Sequence, residues 1–432
     1  MKVQKVLVMA IDPYVKNPVT GVQERASEYL GFSLNFSVTS LKQFIEVGTH
    51  GAVQIEVVDS IHCDEFPKYA GFPSMTEKQF FRLFPANESG KGEWYDWWTR
   101  NQKMQIIPQE LESGMYFDYV DFIIRYNLAE LRNQGCFDMV WVFGIDPLSM
   151  YESSMIGDTP FWINGNAFQT SCENFAMFGM TFSRPDGALE DFCHMCECML
   201  NYTYGISIPE YSRILEFSEF SELNTWQKFY LCKHNSPAHN KVYGVGQVHF
   251  SPNSVRDYDW QNDTPVPSYH RTFLEDYPDI TTEKLTTFTS SEYLEKKGLN
   301  GDIALILHHI WWMQHMPHFE GRDENGYRHN WWDYILDLRY VEALEVKKGS
   351  SDIIKIPLGK SVTDIPFVIK YNGEKRVDTS LTESGAVLRY KENSVFMVED
   401  GEIFGKKIGK EKLSVLYDGH ALDYVVEVVC PK

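Results

Sequence analysis

The stretch "DMVWVFG", residues 138–144, is an unbroken apolar run closed by a glycine, and it reads as a strand buried on both faces. Moving outward, "KVLVMAID" (5–12) is a second short apolar strand ending at the turn pair Asp12-Pro13, and "AVQIEVVDSI" (52–61) and "NFAMFGMTFS" (174–183) are further runs of the same type. Between them lie helical segments. One is near "SLKQFIEVGTHG" (40–51), and in "YFDYVDFIIRYNLAELRNQGC" (116–136) Tyr119, Phe122, Ile123 and Tyr126 recur at helical spacing. Strands alternating with helices predict an α/β fold: a mainly parallel sheet with helices, filling a large N-terminal domain over 1–340. Function in such sheets collects where loops leave the carboxyl ends of the strands, here after Asp12, in "GIDPLSMYESSMIG" (144–157) and in "SRPDGALEDFCH" (183–194).

From 341 to 432 the texture changes. Tryptophan disappears, no helical period is present, and short alternating runs are punctuated by "YNGE", "EDGE" and "YDGH", which are hairpin signatures. This predicts a small β-sandwich. The run "ENSVFMVEDGEIFGKKIGKEKLSVLYDGHALDYVVEVV" resembles the group 2 bacterial immunoglobulin-like domain, although it lacks that domain's Trp-Ser step. The resemblance implies an extracellular setting and a spacer or anchoring role.

The 432 residues are too many for one ordinary core, and 43% apolar content supplies two. A formal net charge of −20 disfavours a nucleic-acid backbone or an anionic membrane as partner. No apolar run reaches the roughly 18 residues of a spanning helix, so no membrane insertion is expected. The N-terminus reads as a strand, so the chain is either cytoplasmic or secreted with its export signal already removed. Eight cysteines without scaffold spacing read as reduced thiols. Aromatic residues make up 15%, with tryptophan doublets in "EWYDWWTR", "HHIWWMQHMPH" and "RHNWWDY" that suit sugar stacking, although buried tryptophan is the commoner case.

The chemistry-bearing segment is "GALEDFCHMCECML" (187–200). On a helix Glu190, His194 and Glu197 fall at i, i+4 and i+7, within about 60° of arc. A histidine with a nearby carboxylate can hold zinc or another divalent cation, and the same carboxylates can exchange protons without metal. The competing reading leaves the carboxylates solvated and His194 in the core, with Cys193, Cys196 and Cys198 as small apolar packing. A thiol-only metal site is disfavoured because the helix splays those three side chains over more than one face. "GQVHFSPNSVRDYDWQND" (246–263) adds His249, Asp257 and Asp259 on a turn-rich loop. Asp257, Asp259 and Asp263 could form a calcium loop but lack its glycine and distal glutamate. "ILHHIWWMQHMPHFEG" (306–321) brings four histidines, of which two are structural, beside Trp311 and Trp312. Glu152 is a lone candidate acid or base in a strand-end loop. No phosphate loop, dinucleotide fingerprint, nucleophile elbow or His-Glu-x-x-His helix occurs, so no nucleotide cofactor is expected.

Taken together, "VWVFGIDPLSMYESSMIG", "GMTFSRPDGALEDFCHMCE", "GVGQVHFSPNSVRDYDW", "IWWMQHMPHFEG" and "HNWWDYI" resemble a family of uncharacterised bacterial secreted proteins over residues 5–335. The resemblance implies bacterial extracellular origin and company with carbohydrate-binding or immunoglobulin-like modules, and carries no reaction with it. Cysteines flank His194 where that family more usually has glycine and arginine.

The expectation is an extracellular or cell-surface hydrolase acting on a glycan or glycoconjugate. His194, Glu197 and His249 bind the metal, Glu152 or Glu190 moves the proton, Asp257 and Asp259 hold substrate or cation, and Trp311, Trp312, Trp331 and Trp332 line the cleft. A metal-dependent peptidase and a non-enzymatic glycan-binding or adhesive surface protein are the alternatives.

Overall fold

The computed structural model describes residues 1–93, 116–145, 148–206, 214–295, 298–399 and 402–431. The doublet "WW" at 97–98 lies outside them. The chain divides into two compact units. Unit one comprises Met1–Cys198, Glu210–Arg271 and Thr281–Met316, and unit two comprises Met199–Pro209, Thr272–Ile280 and Pro317–Lys432.

Unit one is built on a six-stranded sheet. Its strands are β1 (Lys2–Ile11), β2 (Val53–Cys63), β3 (Met139–Gly144), β4 (Ser153–Gly157), β5 (Phe168–Gln169) and β6 (Phe175–Thr181), in the order β2-β1-β3-β6-β4-β5. The neighbours β2, β1, β3 and β6 run parallel, whereas β4 runs antiparallel to β6 and parallel to β5. Four helices matter here: α1 (Leu34–Gly48), α2 (Tyr119–Arg125), α3 (Pro185–Thr203) and α4 (Gly301–Gln314).

The central strands β3 and β6 are almost wholly apolar because both of their faces are covered, whereas edge strand β2 alternates with polar, exposed residues. Val140, Val142 and Met177 point to one face and pack in a single core with Tyr119, Phe122 and Ile123 of α2. Trp141, Phe143 and Phe178 alternate to the other face and are fully buried. There Phe178 meets Phe192 of α3, ring centroids 6.3 Å apart. Burying a ring of that size contributes roughly 1.5–3 kcal/mol. The parallel α/β sheet expected from the alternation of runs is therefore present.

Strand β4 is the departure. "MYESSMIG" reads as a strand-end loop, yet Ser153 pairs with Phe178 in the sheet, and its hydroxyl donates to the carbonyl of Ile163. A satisfied hydroxyl can be buried.

Unit two is rich in strands: β7 (Val341–Val346), β8 (Ile353–Pro357), β9 (Pro366–Tyr371), β10 (Arg376–Ser380), β11 (Val387–Arg389), β12 (Gly409–Tyr417) and β13 (His420–Val429). They form one antiparallel sheet, β7-β9-β10, and a second, β8-β13-β12-β11, in which only β8 pairs parallel. A small third sheet joins Ser361–Val362, Glu402–Gly405 and Phe396–Glu399. "YDGH" is a two-residue hairpin joining β12 to β13, with Asp418 and Gly419 both at positive φ (45° and 78°), the geometry such a turn demands. The strands from 341 onward share one core around Phe367, Leu413, Val415 and Val426. Among the described residues no helix is long and apolar enough to cross a membrane.

Candidate metal centre

Helix α3 opens at Pro185, which suits a first helical position, and Arg184 is paired to Asp186 in its first turn (2.9 Å). Nearly all of its middle is buried, so Glu190, His194 and Glu197 are interior and the solvated reading of this helix fails. The thiols of Cys193, Cys196 and Cys198 are free and buried beside them, and burial pushes all three well above the usual thiol range.

His249 arrives from a loop held at several points. Gly246 takes φ 98°, and a reciprocal turn links Gln247 and Phe250 through their backbones (2.8 and 3.1 Å). Helix α4 pins the loop from the side: Trp312 Nε1 donates to the Gly246 carbonyl (3.0 Å), and His309 Nε2 lies 3.0 Å from the Val248 carbonyl. Asn253 stitches the far end, donating to the carbonyls of Asn262 (2.6 Å) and Thr264 (2.9 Å).

The two imidazoles meet with Nε2 facing Nε2 at 3.0 Å. Glu190 Oε1 lies 2.9 Å from His249 Nε2 and 4.0 Å from His194 Nε2. Glu190, His194 and His249 are all buried, their ligand atoms lie within 4.8 Å of one another, and they could hold a metal ion. Each ring turns its other nitrogen to a carboxylate: Glu197 lies 3.6 Å from His194 Nδ1, and Asp257 lies 2.9 Å from His249 Nδ1. Such carboxylate partners fix ring orientation and make the opposite nitrogen the ligand. Glu152 stands across from His194 Nε2 at 3.8 Å and accepts from the Asn164 amide.

Charge dominates this centre. Burial would raise the Glu190 carboxyl, but the hydrogen bond from His249 and the nearby imidazoles hold it down to about 2. Burial would lower His194, but Glu197, Glu152 and Glu190 raise it. Glu152 is raised, by burial first and then by the Glu190 charge, although about half of its side chain (50%) remains open to solvent. Four carboxylates, Glu152, Glu190, Glu197 and Asp257, thus crowd two imidazoles. A cation between the rings would relieve that excess of negative charge.

The structure corrects several expectations. Glu197 contacts His194 Nδ1 rather than the side facing His249, so Glu190 takes its place in the ligand set. Asp259 organises its own loop, accepting from Val255 N (3.2 Å) and Asn262 Nδ2 (2.9 Å). Asp263 accepts from Ser290 (2.8 Å), so the three aspartates do not converge on a calcium. Trp311, Trp312, Trp331 and Trp332 do not form a stacking platform, because all four are in the interior, at 6%, 0%, 0% and 1% exposure. Of the histidines near α4, His309 and His315 bind backbone carbonyls. Tyr258 escaped sequence reasoning: its hydroxyl lies 3.2 Å from His249 Nε2, and its ring packs 4.4 Å from the imidazole. Its flanking aspartates were the only signal.

The chain matches no protein-family model and no curated protein at a significant level. It is similar over 22% of its length to 92% of a solved chain described as "Solution structure of a putative surface protein", at 19% identity and a TM-score of 0.15, a likeness too slight to carry an argument.

Proposed function

We propose that unit one is a metal-dependent hydrolase in which Glu190, His194 and His249 hold a divalent ion, with zinc the best fit to two imidazoles and a carboxylate. The observation carrying this reading is the opposed pair of Nε2 atoms at 3.0 Å with Glu190 beside them. Three protein ligands leave a position for water, whose acidity a metal raises. Glu152, raised and open to solvent, exchanges the proton, and Glu197 and Asp257 orient the two rings. Because Trp311, Trp312, Trp331 and Trp332 are interior, the expected stacking platform no longer selects a glycan over a peptide, and the scissile bond is either glycosidic or amide.

The sandwich reading of 341–432 as an immunoglobulin-like module, the bacterial secreted lineage and the extracellular setting belong to the same proposal. Two largely antiparallel sheets, β7-β9-β10 and β8-β13-β12-β11, whose strands share one core support the module.

The test is metal uptake by chelator-treated protein, followed by turnover of peptide and glycan panels. One zinc per chain is expected, lost in His194→Ala together with hydrolysis. Uptake unchanged in that variant rejects the centre, and uptake without turnover leaves a binding protein.

A further inference from the structure

Tyr258 is held in a conformation that a bulky side chain rarely adopts, with φ 54°. Its ring is clamped between His249 (centroids 4.4 Å) and Trp260 (4.8 Å), and the clamp aims the hydroxyl at His249 Nε2 (3.2 Å), the atom that also faces Glu190 and His194. The residue is nevertheless 49% exposed, because its outer side forms a wall of an open cavity shared with Val255, Arg256, Trp260, Asn262 and Gly301.

Three protein ligands leave one corner of a tetrahedral zinc site. We infer that Tyr258 is a fourth, displaceable ligand of this centre, resting on the metal reading above, and that it moves into the adjoining cavity when an incoming ligand takes its place. On ligation the phenol O–H bond breaks, its electron pair forms the metal–oxygen bond, and the proton leaves to solvent. On displacement the phenol regains a proton. The cavity supplies room for the ring once it leaves its place between His249 and Trp260. The centre therefore closes itself when empty of substrate.

The probe is copper(II) loaded into the chelator-treated full chain, because a tyrosine oxygen on copper gives a visible charge-transfer band that imidazole and carboxylate ligands do not. Wild type and Tyr258→Phe should each bind one copper, and His194→Ala none. The band should appear in wild type, vanish in Tyr258→Phe, and bleach without copper loss when excess imidazole is added. Equal spectra for wild type and Tyr258→Phe overturn the tyrosine ligand while leaving the metal centre standing. A band that resists imidazole overturns its displacement, and failure of wild type to bind copper overturns the metal reading and this inference together.

Discussion

His194 and His249, 55 residues apart in sequence, bring their Nε2 atoms to 3.0 Å while each Nδ1 faces its own carboxylate. Without a cation, one Nε2 must carry a proton, shared as a hydrogen bond between the rings or given to Glu190. A bound cation would replace that proton and turn both Nε2 lone pairs to itself. A tetrahedral ion with bonds of about 2.0–2.1 Å would separate its ligand nitrogens by roughly 3.3 Å, close to what the backbone already holds.

Glu197→Gln keeps the shape but loses the charge that fixes the His194 tautomer. Metal affinity should fall about 10–100-fold with the fold intact, read by competition against a chelating dye. The same affinity in the variant would make Glu197 a bystander.

Gly246→Ala should damage both stability and metal affinity. At φ 98° a new Cβ would stand 2.1 Å from the Phe250 carbonyl oxygen, so the turn carrying His249 must move. A loss of about 2 kcal/mol or more is expected in urea unfolding, together with weaker metal binding. Loss of stability with unaltered affinity would show that the turn does not set the ligand.

Acid should weaken the metal-free fold well before the carboxylates titrate. Burial lowers His309 and His315 from 6.5 to about 4 and His270 to about 3. Below pH 6.5 the unfolded chain takes up protons that these folded rings refuse, so stability is complete above 6.5 and declines as pH falls toward 4. The full loss is about 3 kcal/mol for a ring such as His315. NMR titration of the imidazole rings in the folded, metal-free protein checks it, and rings of His309, His315 or His270 that protonate near 6.5 would refute their neutral burial.

The parallel sheet was legible because strands covered on both faces must be apolar at every position, as in 139–144. The hairpin at Asp418-Gly419 was legible because few residues tolerate positive φ in succession. At the site, helical spacing put Glu190, His194 and Glu197 on one stripe, but not which ring nitrogen each carboxylate would meet. That depends on side-chain rotation against a loop arriving from elsewhere. Trp311, Trp312, Trp331 and Trp332 misled because composition does not distinguish a platform from a core. Trp312 in fact anchors the ligand loop through Gly246. Tyr258 was invisible because its role comes from a backbone angle.

The thiols packed beside His194 carry a consequence for anyone measuring this protein. If the proposed centre holds a cation, then once α3 unravels Cys193, Cys196 and Cys198 become a flexible chelator on a chain that has just released it. A soft metal will then be recaptured by the denatured form, so added zinc will raise the melting temperature less than its affinity for the native protein implies. Manganese or magnesium, which sulfur holds poorly, would escape that tax.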